Sequence, residues 1–293
     1  MSFLEAVLLG ILQGLTEFLP ISSSGHLMLG ERFFGIEEPD LFFNVVVHVG
    51  TLVAVTLFYR KDIIDAVSGI WEATLQGVEE RSIAAFRRTE GARLGVLLVL
   101  GSIPTAFIGY MLHGPLSVGG GDSIDMVYVI CTLLIVNGFI LLSGKFVDES
   151  KIEERGGAWT LWNITPMVAI LIGVFQGLAV LPGFSRSGLT IIAALWLGVY
   201  RAESARYSFL LSIPAVGGAT LLETLSGRDA MELMTLGGPA EYATYGLAGI
   251  LAGIIGYVSI LVLVKMLKKA QFWHFSWYCW ALGIGGLTVM WML

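Results

Sequence analysis

The sequence predicts an all-α integral membrane protein with six transmembrane helices and two re-entrant helix–break–helix hairpins, arranged as an inverted-topology internal repeat. The first observation is compositional: of 293 residues, 56% are hydrophobic and 14% are charged. A soluble domain carries about a quarter charged residues. The second is a set of apolar runs of membrane-spanning length. The third is a duplicated stretch in which an apolar helix ends at a proline and a serine cluster follows.

Six uncharged apolar runs are long enough, or nearly so, to cross a bilayer, which takes about 20 helical residues. They are residues 41–59, 94–112, 126–144, 207–222, 242–264 and 272–293. Lysine and arginine concentrate in alternate connections, whereas the opposite connections are mainly acidic. Because basic loops stay on the inner side, we expect the basic face to be cytoplasmic and both termini to lie outside.

Two further apolar stretches, residues 3–30 and about 162–199, are each too long for one span, and proline interrupts both near the centre. The distribution of charge requires only that each returns to its starting side, so two full spans are the alternative to a re-entrant hairpin. We prefer the hairpin, because the run 6–16 before Glu17 is too short to cross. Irregular backbone is tolerated at membrane depth when protein surrounds it.

These two stretches resemble each other. The sequence GILQGL at residues 10–15 corresponds to GVFQGL at 173–178, and Ser-x-Ser-Gly follows in both, at 22–25 and 185–188. Three spans follow each copy, so the two copies enter from opposite faces. We expect a single membrane domain with repeat one at residues 1–145, a cytoplasmic connector at 146–160 and repeat two at 161–293. The functional site is expected where the broken helices meet.

Residues 61–78 carry apolar side chains at helical spacing, from Ile63 to Val78. This pattern indicates an amphipathic helix on the cytoplasmic face of the membrane, with plain loop as the alternative.

The two breaks together predict an anion site. After each break a new helix begins, and its first backbone N–H groups point into the gap, where they attract anions. Arg186 adds a planar fork of donors that suits phosphate oxygens. The hydroxyls that rim this phosphate-sized cradle belong to Ser22, Ser23, Ser24, Ser185, Ser187 and Thr190.

The charge of a diphosphate calls for a cation. A diphosphate monoester carries about two to three negative charges at neutral pH, by extension from a phosphate monoester. Glu17 adds another negative charge, which Arg186 alone does not balance. We therefore expect a divalent cation on Glu17, with Mg²⁺ preferred and Ca²⁺ as the alternative. Gln13 lies one turn earlier on the same helical face and could ligate the ion or orient Glu17.

His26 is the candidate base. It lies three residues after Ser23 and four after Ser22, so either hydroxyl could reach its ring. A serine beside a base is an activated nucleophile, but attack by water and phosphoryl transfer to His26 itself are equally open. The other histidines in apolar sequence, including His48 and His274, are expected to be packed or hydrogen-bonded rather than ligands.

The sequences QGLTEFLPISSSGH at residues 13–26 and PGFSRSGLT at 182–190 resemble the two signatures of the bacterial undecaprenyl-diphosphate phosphatases of the bacitracin-resistance type. The resemblance extends over nearly the whole chain. It implies dephosphorylation of undecaprenyl diphosphate to the monophosphate carrier lipid of peptidoglycan synthesis. It also implies a multi-pass protein of the bacterial cytoplasmic membrane, with a pocket open to the outer face.

The same resemblance implies roles for particular residues. The (Glu/Gln)-x-x-x-Glu element of the family corresponds to Gln13 and Glu17, its histidine to His26, its proposed serine nucleophile to Ser23 and its arginine to Arg186. Many members carry Glu where this chain has Gln13, so a two-carboxylate metal site is not expected to be complete here.

Other functions fit parts of the pattern. A lipid or ion transporter, or a flippase, would also have inverted repeats with broken midplane helices. A non-catalytic receptor for anionic lipid headgroups would use the same cradle. The expected partners are a polyprenyl diphosphate lipid and the bilayer, and a homo-oligomer is compatible with the sequence. The sequence has no basic patch of the kind that binds nucleic acid.

Overall fold

A computed structural model describes residues 1–36, 40–80, 83–117, 123–150, 160–161, 163–226 and 238–292. These residues form helices and no β-strand, apart from one isolated β-bridge between Pro182 and Phe184. The α-helices are α1 (Phe3–Thr16), α2 (Ser23–Phe33), α3 (Leu41–Phe58), α4 (Arg60–Glu80), α5 (Glu90–Ser117), α6 (Ser123–Ser143), α7 (Pro166–Leu178), α8 (Arg186–Trp196), α9 (Arg201–Ser226), α10 (Pro239–Lys268) and α11 (Phe275–Met292). Short 3₁₀ helices occupy Ile83–Arg87, Gly144–Phe146 and Phe272–His274.

Five helices in the described part of the chain are long and apolar enough to cross a membrane. They cover Leu41–Phe58, Glu90–Leu112, Met126–Phe146, Arg201–Leu222 and Pro239–Lys268. Each coincides with one of the predicted spans, which confirms an all-α integral membrane protein. The sixth predicted span, residues 272–293, falls on a 3₁₀ turn and the 18-residue helix α11, which is not among the five. That span stays a prediction.

The two serine-containing stretches form short helix pairs. α1 has 14 residues and α7 has 13, so at 1.5 Å per residue each is about 20 Å long, less than the roughly 30 Å hydrocarbon core. Ser2 and Glu5 form a capping box at the start of α1, and Thr165 caps α7 with Pro166 at its first position. Sequence therefore specifies both outer ends of the hairpins.

Each hairpin packs against a span from the other half of the chain. α1 lies on α10, and α7 lies on α5. Gly10 allows α1 to lie close to α10, because a Cβ at residue 10 would lie 2.7 Å from the carbonyl oxygen of Ala248. Gly173, the matching residue in the second stretch, faces the backbone of Gly101 in the same way. Small residues allow such close backbone packing between membrane helices.

α4 confirms the helix predicted at residues 61–78. Its buried face, including Ala66 and Ala73, packs against α5 and the adjacent 3₁₀ turn. The opposite face exposes large apolar side chains, which are Ile64, Val67, Trp71, Leu75 and Val78. An exposed apolar stripe on a helix beside membrane spans suits contact with lipid.

Candidate active site

The first break is a tight turn closed by a strained cap. Ser22 has φ +70°, a left-handed conformation that costs a non-glycine residue on the order of 1–3 kcal/mol. Its hydroxyl accepts from the backbone N–H of Gly25 at 3.3 Å, which caps α2. The same hydroxyl accepts from the N–H of Gly183 at 3.0 Å. The first break therefore contacts the second directly.

The second break contains Gly183, with φ +107°, a conformation that favours glycine. A Cβ there would lie 2.6 Å from the carbonyl oxygen of Ile130 in α6, so space also restricts this position to glycine. Ser185 caps α8 by accepting from the N–H of Gly188 at 3.1 Å. The predicted capping by serine is thus confirmed in both hairpins.

Asn137, a residue not anticipated as part of the site, joins the two breaks. It lies in α6 with no exposed surface. Its Nδ2 donates to the carbonyl oxygen of Pro20 at 2.9 Å, and its Oδ1 accepts from the N–H of Ser185 at 3.2 Å. The available signal was a lone amide inside an apolar span, since polar groups are costly in hydrocarbon.

Glu17 forms the centre of the site. Its Oε1 pairs with Arg186 of the second hairpin. Its Oε2 accepts from Ser23 Oγ at 2.6 Å and from Gln13 Nε2 at 2.9 Å. The residue is 6% exposed, so these partners compensate a charge that would otherwise be expensive to bury. The structure therefore brings three of the sequence-predicted residues, Gln13, Ser23 and Arg186, together around the Glu17 carboxylate.

A narrow crevice adjoins this pair. Its walls consist of Glu17, Phe18, Arg186, Ser187, Ser208, Phe209 and Ser212. Arg186 Nη1 also donates to the carbonyl oxygen of Ser212 at 3.4 Å. Among these residues, Ser208 and Ser212 are polar side chains that the sequence did not predict for the site, and Phe18 and Phe209 were not predicted either. The two serines lie one turn apart on α9, a spacing that places both hydroxyls on one helical face.

The remaining predicted hydroxyls support the start of α8 or α2. Ser185 Oγ and Ser187 Oγ are 3.1 Å apart. Thr190 Oγ1 donates to the carbonyl oxygen of Arg186 at 2.7 Å and is hydrogen-bonded to Ser208 Oγ. Ser24 is half-buried in the first turn of α2, and the contacts of the described residues do not join it to the Glu17–Arg186 pair.

His26 has different partners from those anticipated. Its Nδ1 lies 2.7 Å from the carbonyl oxygen of Ser22, and its Nε2 lies 2.8 Å from the hydroxyl of Tyr278. The His26 and Tyr278 rings are stacked, with centroids 5.6 Å apart. No contact among the described residues links His26 to Ser23 or Glu17. The imidazole therefore supports the strained cap, and Tyr278 is a further neighbour that sequence did not indicate.

His48 was expected to be packed or hydrogen-bonded, and it is hydrogen-bonded, but it also lies beside the carboxylate. Its Nε2 is 4.0 Å from Glu17 Oε2, and its side chain is 29% exposed. Its Nδ1 lies 2.7 Å from the carbonyl oxygen of Asn44, one turn earlier in α3. Sequence gave no reason to connect residue 48 with residue 17, because their proximity depends on how α3 packs beside the first hairpin.

The surroundings of Glu17 fit a lightly held cation. Gln13 Oε1 is buried beside this carboxylate and has no hydrogen-bond partner. The described residues contain no cluster of three or more His, Cys, Asp or Glu that could form a complete metal cage. Mg²⁺ is commonly held by one or two carboxylates together with substrate phosphate and water. One carboxylate and a free amide oxygen are consistent with that pattern.

Comparison with known proteins adds an independent line of evidence. Residues 6–285 match the family model described as Bacitracin resistance protein BacA. The undecaprenyl-diphosphatase of Desulforapulum autotrophicum is 39% identical over 97% of each chain. That of Desulfosudis oleivorans is 41% identical over 98% of this chain and 97% of its own. That of Methanosphaera stadtmanae is 38% identical over 97% of this chain and 96% of its own.

Proposed function

The chain belongs to the bacitracin resistance protein BacA family, and from this membership we propose that it hydrolyses undecaprenyl diphosphate to undecaprenyl phosphate and inorganic phosphate. The curated relatives that share its full length bear the name of that activity. The observation in the structure that supports it most directly is the Glu17–Arg186 pair, which joins the two helix breaks at an anion-binding position. The product is the lipid carrier of cell-wall synthesis.

The proposed topology is six spans and two re-entrant hairpins in an inverted repeat, with repeats at residues 1–145 and 161–293 and a connector at 146–160. The short arms α1 and α7 support re-entrance, and the crosswise packing of α1 on α10 and α7 on α5 supports duplication. The distribution of basic residues supports a cytoplasmic-membrane protein whose termini and pocket open on the outer side. Homo-oligomerisation stays a prediction.

Arg186 and the two helix starts would bind the diphosphate. The guanidinium can donate two parallel hydrogen bonds to phosphate oxygens. It stands at the first position of α8, where backbone N–H groups are also directed towards the break. Ser187 and Ser208 line the adjoining crevice, and the Ser187 hydroxyl can donate to a further oxygen, whereas the Ser208 hydroxyl donates to Thr190 Oγ1. When the headgroup binds, its phosphate oxygens would replace Glu17 as the partner of the Arg186 guanidinium.

Ser23 is the proposed nucleophile. Its hydroxyl donates to Glu17 Oε2 at 2.6 Å, which orients the oxygen and provides an acceptor for its proton. Ser23 Oγ would bond to the terminal phosphorus while the bond from that phosphorus to the bridging oxygen breaks, releasing the lipid monophosphate. Water would then hydrolyse the phosphoserine and release inorganic phosphate. His26 would act by holding the Ser22 cap, since its nitrogens contact Ser22 and Tyr278.

A divalent cation, with Mg²⁺ preferred and Ca²⁺ as the alternative, would be held by Glu17 with the amide oxygen of Gln13. When bound it would neutralise phosphate charge. The cradle of the protein itself supplies one guanidinium, so binding of a multiply charged headgroup without a cation would leave excess negative charge in a buried site.

A transporter or flippase is not favoured, because the full-length relatives are named for a hydrolase. Phosphate release separates these functions. The purified chain in detergent, given undecaprenyl diphosphate and Mg²⁺, is expected to release inorganic phosphate, and a chelator is expected to stop the release. Lipid movement in liposomes without phosphate release would contradict hydrolysis. Tight headgroup binding without either activity would indicate a receptor instead.

A further inference from the structure

One group beside Glu17, His48, has no role in the hydrolysis proposed above, and it lies beside the same carboxylate as the Gln13 amide, whose oxygen was proposed there to hold the cation with Glu17. The His48 imidazole comes from α3 rather than from either hairpin, and its Nε2 lies 4.0 Å from Glu17 Oε2. Gln13 Oε1 is a fully buried acceptor without a partner. Both are groups that bind divalent metal ions, and both are next to the same carboxylate.

The tautomer of His48 follows from its second contact. The carbonyl oxygen of Asn44 can only accept, so Nδ1, at 2.7 Å from it, must carry the proton. In the neutral ring Nε2 then presents a lone pair on the side of Glu17. A ligating histidine almost always donates its other ring N–H to a carbonyl, carboxylate or water, which fixes the ring in this way.

The 4.0 Å distance between His48 Nε2 and Glu17 Oε2 allows both atoms to bind one metal ion. Two ligands that each lie about 2.1 Å from one metal can be up to about 4.2 Å apart. Gln13 at present donates to Glu17 through Nε2 at 2.9 Å. Turning the amide by half a revolution would direct Oε1 to the same region, where a cation would be its partner, and would exchange the hydrogen bond from Nε2 to Glu17 for metal ligation.

We propose that His48 Nε2, Glu17 Oε2 and the Gln13 amide oxygen form one three-ligand site for a divalent cation. The inference rests on the proposed hydrolase function and specifies its metal site. An imidazole ligand in place of a second carboxylate shifts preference towards transition ions such as Mn²⁺ and away from Mg²⁺ and Ca²⁺, which favour oxygen. This chain should therefore bind Mn²⁺ more tightly than Mg²⁺, in place of the preference for Mg²⁺ that Glu17, Gln13 and the phosphate oxygens alone would give.

The test uses Mn²⁺ as the probe on the purified full-length chain in detergent. Electron spin-echo modulation of bound Mn²⁺ detects a directly coordinated imidazole nitrogen independently of turnover. The wild-type protein is expected to show nitrogen modulation, and His48→Gln is expected to lose it while the Mn²⁺ dissociation constant rises about tenfold or more. Wild-type Mn²⁺ without nitrogen modulation, or no bound Mn²⁺, would overturn the proposal.

His274→Gln is the matched control. His274 Nδ1 also lies close to a carbonyl oxygen, that of Gln271 at 2.8 Å, but its side chain is exposed and not near Glu17. The nitrogen signal should persist in His274→Gln and in His26→Gln. Its persistence in His48→Gln would overturn the assignment. Phosphate release by the wild-type protein, measured in parallel, distinguishes failure of this metal site from failure of the hydrolase function.

Discussion

The two helix breaks both lead into a serine-capped helix but differ in chemistry. Gln13 and Gln176 occupy matching positions, both are buried, and in both the Oε1 atom lacks a partner. Four residues later the first stretch has Glu17, whereas the second has Val180. Accordingly Gln13 donates to a carboxylate, and Gln176 donates to Thr105 Oγ1 and the carbonyl oxygen of Leu211.

The caps differ in a complementary way. The first break uses a left-handed serine at its cap and the second a left-handed glycine two residues before its cap. The first contributes the negative charge and the hydroxyl of Ser23, and the second contributes Arg186. The contact between Ser22 and Gly183 brings the two helix starts together, and the unequal side chains give the proposed site distinct nucleophile and anion-binding sides.

The strongest test of this asymmetry is the nucleophile. Ser23→Ala is expected to lower kcat about 10⁴-fold or more, as loss of a covalent nucleophile does in other hydrolases, and to abolish an acid-stable phosphoprotein in quenched reactions. Ser24→Ala should cause a much smaller loss, because Ser24 does not contact Glu17. A phosphoprotein trapped in Ser23→Ala would instead assign the acceptor to another residue, which would be another hydroxyl if the adduct is stable in acid and His26 if it is stable only in base.

The anion-binding side gives the next largest effect. Arg186→Lys should lower kcat/KM about 10²-fold to 10³-fold, because an ammonium cannot donate bidentately and leaves the Glu17 pair less well formed. Steady-state phosphate release measures this change. Arg87→Lys, at an exposed position, should leave kcat/KM unaltered. Similar kcat/KM values for Arg186→Lys and Arg87→Lys would contradict bidentate binding of phosphate by Arg186.

The paired glutamines test whether the halves differ in function. Gln13→Leu should reduce activity about tenfold or more and raise the Mg²⁺ concentration required, because a donor to the carboxylate and a candidate ligand are lost. Gln176→Leu should alter stability rather than metal dependence, since its donor contacts are with Thr105 and Leu211. Mg²⁺ titrations of phosphate release distinguish them. Equal metal responses would show that the two amides are interchangeable.

Replacing Asn137, which joins the two breaks, is expected to change activity least and to lower the stability of the fold. Asn137→Ala leaves the Ser185 N–H unpaired and the Pro20 carbonyl with only the weak Cys279 Sγ donor at 3.8 Å, and a buried group without a partner costs about 1–3 kcal/mol. Thermal unfolding in detergent should show a lower Tm. Asn163→Ala, at an exposed position, should stay within about 0.5 kcal/mol. An unchanged Tm for Asn137→Ala would mean that water replaces the amide.

Much of the scaffold was predictable because its causes are local. Proline breaks, serine caps and apolar runs act within a few residues, so the ends of the two short helix pairs, five helices long enough to cross a membrane and helix α4 were located correctly. The assignment of Glu17, Arg186, Gln13 and Ser23 to one site also followed from charged and polar groups in apolar sequence. The roles of these residues remain predictions.

The neighbours of the site were not predictable in this way. His48 lies 31 positions after Glu17 and Tyr278 lies 252 positions after His26, and nothing in their local sequence identifies these partners. The contact of His26 with the Ser22 carbonyl rather than a serine hydroxyl likewise depends on the left-handed turn. Helix spacing permitted either contact, and the backbone of the break selected one.

Sequence by itself determined that this chain is a membrane protein of helices, with two interrupted segments that carry a carboxylate, a guanidinium and serine caps. Hydrophobicity, helix capping and the cost of burying charge act along the chain and are readable from it. Tertiary structure alone decided that Asn137 joins the breaks and that His48 faces Glu17. Those contacts depend on the depth and rotation of each packed helix, which side-chain complementarity between distant segments sets.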